Sequence, residues 1–224
     1  EMQPFLFYLI LGWRTYFHRQ SLYLRAIMKP NPTVFMKKKA ILLITGLIVL
    51  AVLARLLPHA TNFTPIGAIA LFCAAYIPKK KWALITPLAA LWISDLLLNN
   101  LVYAEYYEGF AWFTGGFLYI FGAIAMIAVL GYYLLKKVTL PRVLGSAIGA
   151  AVLFFIISNF GVWVSGTLYP MSLEGLIACY TAAIPFFHYT LAGNVVYSAA
   201  LFGAYEYAKY RMPELELTEA KAEA

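Results

Sequence analysis

Basic residues enter this sequence in short clusters, Lys37 to Lys39, Lys79 to Lys81, Lys136 and Lys137 with Arg142, and Lys209 with Arg211, separated by long apolar runs. The clusters occupy alternate turns, and the turns between them hold few basic residues, mainly Arg55 and His59. Positive charge retained on one side of a bilayer gives this pattern, which predicts an all-α integral membrane protein of six transmembrane helices with both termini in the cytoplasm. With 63% hydrophobic and 12% charged residues among 224, and a mean hydropathy of +0.76, the chain has too little polar surface to cover a soluble globule. The net charge of +7 therefore reports topology rather than nucleic-acid binding.

The sequence divides into an N-terminal extension over residues 1–35, a six-helix membrane domain over 36–211 and a polar cytoplasmic tail over 212–224. In the extension, the apolar run from Phe5 to Trp13 is shorter than the ~20 residues a span needs. Basic residues follow it rather than precede it, unlike a cleaved signal peptide. It reads as an interfacial or disordered segment, and Met36 reads as a natural start. The expected spans run from Ala40 to Leu57, Pro65 to Ile77, Trp82 to Leu98, Trp112 to Leu135, Val143 to Val164, and Phe186 to Tyr207. The second is short, about 20 Å of helix, and Pro65 fits its first position with Thr64 or Asn62 as cap. Pro185 divides the last apolar stretch, which predicts a separate short helix from Leu173 to Ala183. The tail from Lys209 onward is expected to fray.

At 1.5 Å per residue from the basic anchors, Asp95 lies about 21 Å from the inner face, and Arg55 and Asn159 about 25 Å. His188 falls near the outer boundary and Asn194 nearer the middle. Asn99 and Trp163 stand one turn from Asp95 and Asn159, on the same helix faces. Ionisable groups in spans are costly, so Asp95 and Arg55 face the bundle interior, water or each other. Asn62, Asp95, Asn99, Asn159, Tyr180 and His188, with Trp92 and Trp163 as apolar walls, supply the mixture a small-molecule pocket needs. The elbow from Arg55 to Gly67 is its expected rim, with the N-terminus of the short second helix aimed inward.

No HExxH, GxSxG or GxxxxGK[ST] pattern occurs, so neither zinc-protease, hydrolase-elbow nor ATPase chemistry is encoded; no enzymatic activity and no cofactor are expected. Cys73 and Cys179 lie in apolar sequence without metal-ligand spacing. Gly145 to Gly149 and Ala70 to Ala74 are small-xxx-small patterns suited to close helix packing.

Arg55-Leu-Leu-Pro-His59, Asn62-Phe-Thr-Pro-Ile-Gly67, Ser94-Asp95, Ser158-Asn-Phe-Gly-Val-Trp163, Tyr169-Pro170 and Gly175 through Phe187 carry a family resemblance. In order over residues 36–211, they resemble a bacterial domain-of-unknown-function family assigned to transport. That family is grouped with the substrate-binding S components of energy-coupling factor transporters. Where its members often have Gly-Asp and Leu-Phe-Gly-Gly, this chain has Gly193-Asn194 and Leu71-Phe-Cys73-Ala. The resemblance implies a multi-pass protein of the cell inner (cytoplasmic) membrane that captures a vitamin-like micronutrient from the outer side. It further implies a loop that closes the pocket, and docking to a transmembrane coupling subunit with ATPases.

On this reading Asn62, Asp95, Asn99 and Asn159 hydrogen-bond the substrate and Trp163 and Tyr180 stack on it, with Trp92, His188 and Asn194 nearby. Arg55 pairs with Asp95 or meets an anionic group. The alternatives are a structural or assembly protein without a transported ligand, and an intramembrane enzyme using Asp95 and His188.

Overall fold

A computed structural model describes residues 34–35, 38–215 and 218–219. The chain forms two units. One includes a two-residue antiparallel pairing of Val34–Phe35 with Thr218–Glu219. The other, Met36–Leu217, is helical and carries every candidate site residue. The rest of the extension expected over residues 1–35 lies outside the described residues.

Six α-helices make up the helical unit: α1 Lys38–Arg55, α2 Ile66–Tyr76, α3 Lys80–Leu97, α4 Phe117–Leu134, α5 Leu140–Val164 and α6 Leu173–Arg211. One π-helical turn, Leu98–Val102, extends α3. Among the described residues, four segments are long and apolar enough to cross a membrane: Lys80–Val102, Phe117–Leu134, Leu140–Val164 and Leu173–Arg211. This is the architecture of a membrane protein. Helix α1 matches α4 in length but carries Lys38, Lys39 and Arg55 at its ends, and α2 has only 11 residues.

Short α2 is the centre of the bundle. It is apolar around its whole circumference, and Ile66 through Cys73 are all buried, as expected for a helix surrounded on every side. Helices α1, α3, α4, α5 and α6 all pack against it. Close approach to α4 depends on Gly131, whose Cβ would lie 2.9 Å from that of Ala74. At the far end of α2, the rings of Phe72, Tyr76, Phe202 and Tyr205 form a cluster in which Phe72 meets the other three edge-to-face and Tyr76 meets Phe202 and Tyr205 at a tilt. Tyr76 donates to Glu206 Oε1 at 2.5 Å, and Lys209 pairs with the same carboxylate at 3.1 Å. These contacts fill the α2–α6 interface below the site.

Helix α6 departs from the sequence expectation. Leu173–Arg211 is one continuous helix of 39 residues, about 58 Å long, with Pro185 inside it. Proline removes one hydrogen bond, to Thr181 C=O, but Tyr180 before it and Phe187 after it both contact α5, at Ile156 and Phe155, and apolar helices tolerate such an interruption. Ser172 caps the start, accepting from Gly175 N–H at 3.2 Å. Replacing Pro185 by Ala is expected to raise the melting temperature and leave the helical circular dichroism unchanged. A lowered melting temperature would show that the bundle depends on the interruption.

Three further boundaries differ from expectation. Helix α4 begins at Phe117 rather than near Trp112, because residues 103–116 are drawn into a loop by side-chain bonds described below. Pro65 precedes the first helical residue of α2, and neither Thr64 nor Asn62 makes a side-chain cap. The segment after Lys209 is ordered through Leu215: α6 runs to Arg211, and Pro213–Leu215 forms a 3-10 turn with Leu215 buried. Lys39 holds Glu214 at 2.6 Å.

Candidate functional site

The elbow between α1 and α2 positions the site. Asn62 adopts a left-handed backbone conformation (φ 67°), which asparagine tolerates better than most residues. Its carbonyl accepts from Thr64 N–H at 3.0 Å. Gly193 lets α6 approach this elbow, since a Cβ there would lie 3.0 Å from Thr64 N.

Two cavities meet at Asn62. The smaller, about 290 Å³, is lined by residues including Arg55, Asp95, Asn99, Thr114 and Asn194. The larger, about 650 Å³, lies between α5, α6 and the loop joining them, with walls including Phe154, Phe155, Asn159, Phe186 and Phe187. Asn62, Ile120, Phe154 and Thr190 line both.

A polar network supports one wall of the smaller cavity. Arg55 Nη2 pairs with Asp95 Oδ1 at 2.6 Å, and its Nη1 donates to Ser94 Oγ. The Thr114 hydroxyl donates to Asp95 Oδ2 at 3.3 Å and accepts from Asn99 Nδ2 at 3.0 Å. Asn99 Oδ1 accepts from the Tyr107 hydroxyl at 3.3 Å. Asp95 and Asn99 are 6% and 5% exposed, so the network is buried where each hydrogen bond matters most. The π-helical turn shapes this wall, as such turns often do at functional sites.

Asn194, 5% exposed, stands on the opposite wall. Its Nδ2 donates to Thr190 C=O at 2.9 Å, while Oδ1 lies 2.2 Å from where a Cβ on Gly67 would stand. Gly67 belongs to the first turn of α2, whose unpaired N–H groups give it a positive partial charge. The absent side chain at residue 67 lets the Asn194 carbonyl oxygen sit against that turn. Asn194 Oδ1 and Arg55 Nε have no hydrogen-bond partner among the described residues.

Residues 35–215 match a family described as "Family of unknown function (DUF6580)". The chain belongs to this family. No curated protein and no solved structure matches it. In this DUF6580 member, the structure brings Arg55, Asn62, Asp95, Asn99 and Asn194 to one cavity and Asn159 to its neighbour.

The other sequence-based candidates line neither cavity, and three make local structural bonds. Trp92 Nε1 donates to Trp112 C=O at 3.2 Å, Trp163 Nε1 to Pro170 C=O at 3.1 Å, and the Tyr180 hydroxyl to Ile156 C=O at 2.6 Å. His188 is exposed beside Tyr189, away from Asp95. Among the described residues, no three His, Cys, Asp or Glu side chains gather to hold a metal ion.

Tyr107 and Thr114 were not among the sequence candidates, because they lie in a loop without periodicity. Asn100 was also missed, although it follows directly on Asn99. It donates to the carbonyls of Leu96 and Ala111, both at 2.9 Å, and accepts from Ala111 N–H at 2.8 Å. This residue pins residues 103–116 over the smaller cavity. Asn100→Ala should cost roughly 1–3 kcal/mol by leaving the Ala111 N–H and its neighbours without their partners. Faster hydrogen exchange confined to residues 103–116 checks it, and unchanged exchange there contradicts the assignment.

Proposed function

We propose that this protein is a membrane uptake protein resembling the S components of energy-coupling factor transporters. On this reading all six helices traverse or enter the cytoplasmic membrane of a bacterial cell, both termini are cytoplasmic, and the elbow faces outward. A small vitamin-like solute is captured from the outer side, without chemical conversion, for transfer through a transmembrane coupling subunit and its ATPases. The observation that carries the reading is the smaller cavity. Charged and amide side chains from α1, the elbow, α3 with its π-helical turn, and α6 converge there around a partly open cavity. Small-molecule sites combine apolar walls with few convergent polar groups in this way.

The loop over residues 103–116 supports the same reading, because it contributes Tyr107 and Thr114 to the wall through bonds that can break on opening. A second reading, a structural protein of the membrane, draws on the Arg55–Asp95 pair joining α1 to α3. Uptake and binding assays on Asp95→Ala and Asn159→Ala separate the two. Loss of both activities in correctly inserted protein supports capture, and unchanged activities in both variants end it.

Asn62→Gly gives a further prediction. Glycine keeps the left-handed backbone conformation, so the melting temperature should stay near that of the parent while ligand binding weakens. Parental binding with a lowered melting temperature would make Asn62 a turn residue only. Cysteine labelling of the Lys79 loop from the outside, if efficient, would contradict the orientation.

A further inference from the structure

We infer that the site takes an electrically neutral, amphipathic solute, with a small hydrogen-bonding head in the smaller cavity joined to an apolar ring or chain in the larger. This rests on the capture reading above and narrows its substrate class. Adjacency comes first: Asn62, Ile120, Phe154 and Thr190 line both cavities, so the two lie side by side and a molecule reaching from one to the other passes these four residues. Charge decides the class. The larger cavity has no Asp, Glu, Lys, Arg or His among its lining residues. The smaller has one cation and one anion, and they are paired at 2.6 Å.

The charge of Arg55 is already balanced by Asp95 at 2.6 Å, so a ligand carboxylate would have to compete with Asp95 for it, while the Nε–H, without a partner among the described residues, can donate to an uncharged carbonyl. An ammonium group would have to compete with Arg55 for Asp95, whose Oδ1 holds Arg55 while Oδ2 accepts from Thr114. The residual positive partial charge at the start of α2 faces Asn194 Oδ1. A net charge brought into these cavities meets no unpaired counter-charge to offset its loss of water. Uncharged acceptors and donors meet the unpaired Arg55 Nε–H and Asn194 Oδ1, with Asn62 and Thr64 beside them.

Size sets the division of the ligand. At ~30 Å³ per water, the smaller cavity of about 290 Å³ has room for a head on the order of ten heavy atoms. Phe154, Phe155, Phe186 and Phe187 of the larger cavity suit an apolar body.

Three probes that share one body and differ only in head charge test this: 3-phenylpropanamide, 3-phenylpropanoate and 3-phenylpropylammonium. Their binding to the full chain in lipid nanodiscs is measured by calorimetry against empty discs. The amide is expected to bind about tenfold or more tighter than either ion. Asp95→Asn, which leaves Arg55 uncompensated, should shift preference toward the propanoate. Asn194→Asp, which adds a carboxylate, should shift it toward the ammonium. Opposite shifts from two variants cannot arise from a shared folding defect. An ion binding tightest to the parent protein, or both variants shifting the same way, overturns neutrality while leaving capture standing. Binding of none of the three overturns the proposed fit, and capture itself fails only if the protein also carries no solute of its own.

Discussion

Asp95→Ala is expected to lower stability by about 3–5 kcal/mol, because it leaves the Arg55 guanidinium in a poorly hydrated interior without its counter-charge. The Asp95 side chain is 8% exposed and that of Arg55 14%, so water cannot replace the lost partner at little cost. The paired substitution Arg55→Met with Asp95→Leu should behave differently. Exchange of a whole buried ion pair for apolar side chains is often neutral or stabilising, so the melting temperature should return to the parental range. Binding should not return, because the network running from Arg55 through Asp95 and Thr114 to Asn99 has lost its first two members. Thermal denaturation together with a binding assay reads both. If the pair only locked α1 to α3, the double variant would recover every property of the parent.

Gly67→Ala should damage the opposite wall. The new methyl group would stand 2.2 Å from Asn194 Oδ1, a separation that neither atom can keep. Asn194 has little freedom to yield, since it is buried and bonded to Thr190 C=O. Overpacking of this kind costs roughly 1–3 kcal/mol, and displacing Asn194 from the cavity wall should weaken ligand binding as well. Adding Asn194→Ala removes the colliding atom, so the double variant should be more stable than Gly67→Ala alone. The two sites then show the coupling expected of residues in contact. Additive destabilisation in a double-mutant cycle would mean that Gly67 and Asn194 do not touch.

Much of this arrangement can be read from the sequence because membrane burial leaves few polar residues unexplained. Arg55, Asp95 and Asn99 stand out in apolar helices, and depth counted from the lysine clusters puts Arg55 and Asp95 close to one level. Rotation about each helix axis is harder to read, since apolar residues surround the spans on all faces and give no clear inward stripe. Trp92, Trp163, Tyr180 and His188 line neither cavity for that reason. Pro185 misled in another way: a local rule forecasts a break, but packing along α5 carries α6 through it. The roles of Asn100, Tyr107 and Thr114 depend on a loop whose course is set by side-chain bonds between residues 4 to 19 positions apart, which periodicity cannot reveal.

The most direct measurement is mass spectrometry of small molecules released on denaturing the full chain purified from its native membrane. The capture account expects a small organic solute in stoichiometric amount from the parent protein. It should be absent from the stably folded Arg55→Met, Asp95→Leu variant. A parent protein that releases no such solute, or a variant that retains it in full, would contradict the account.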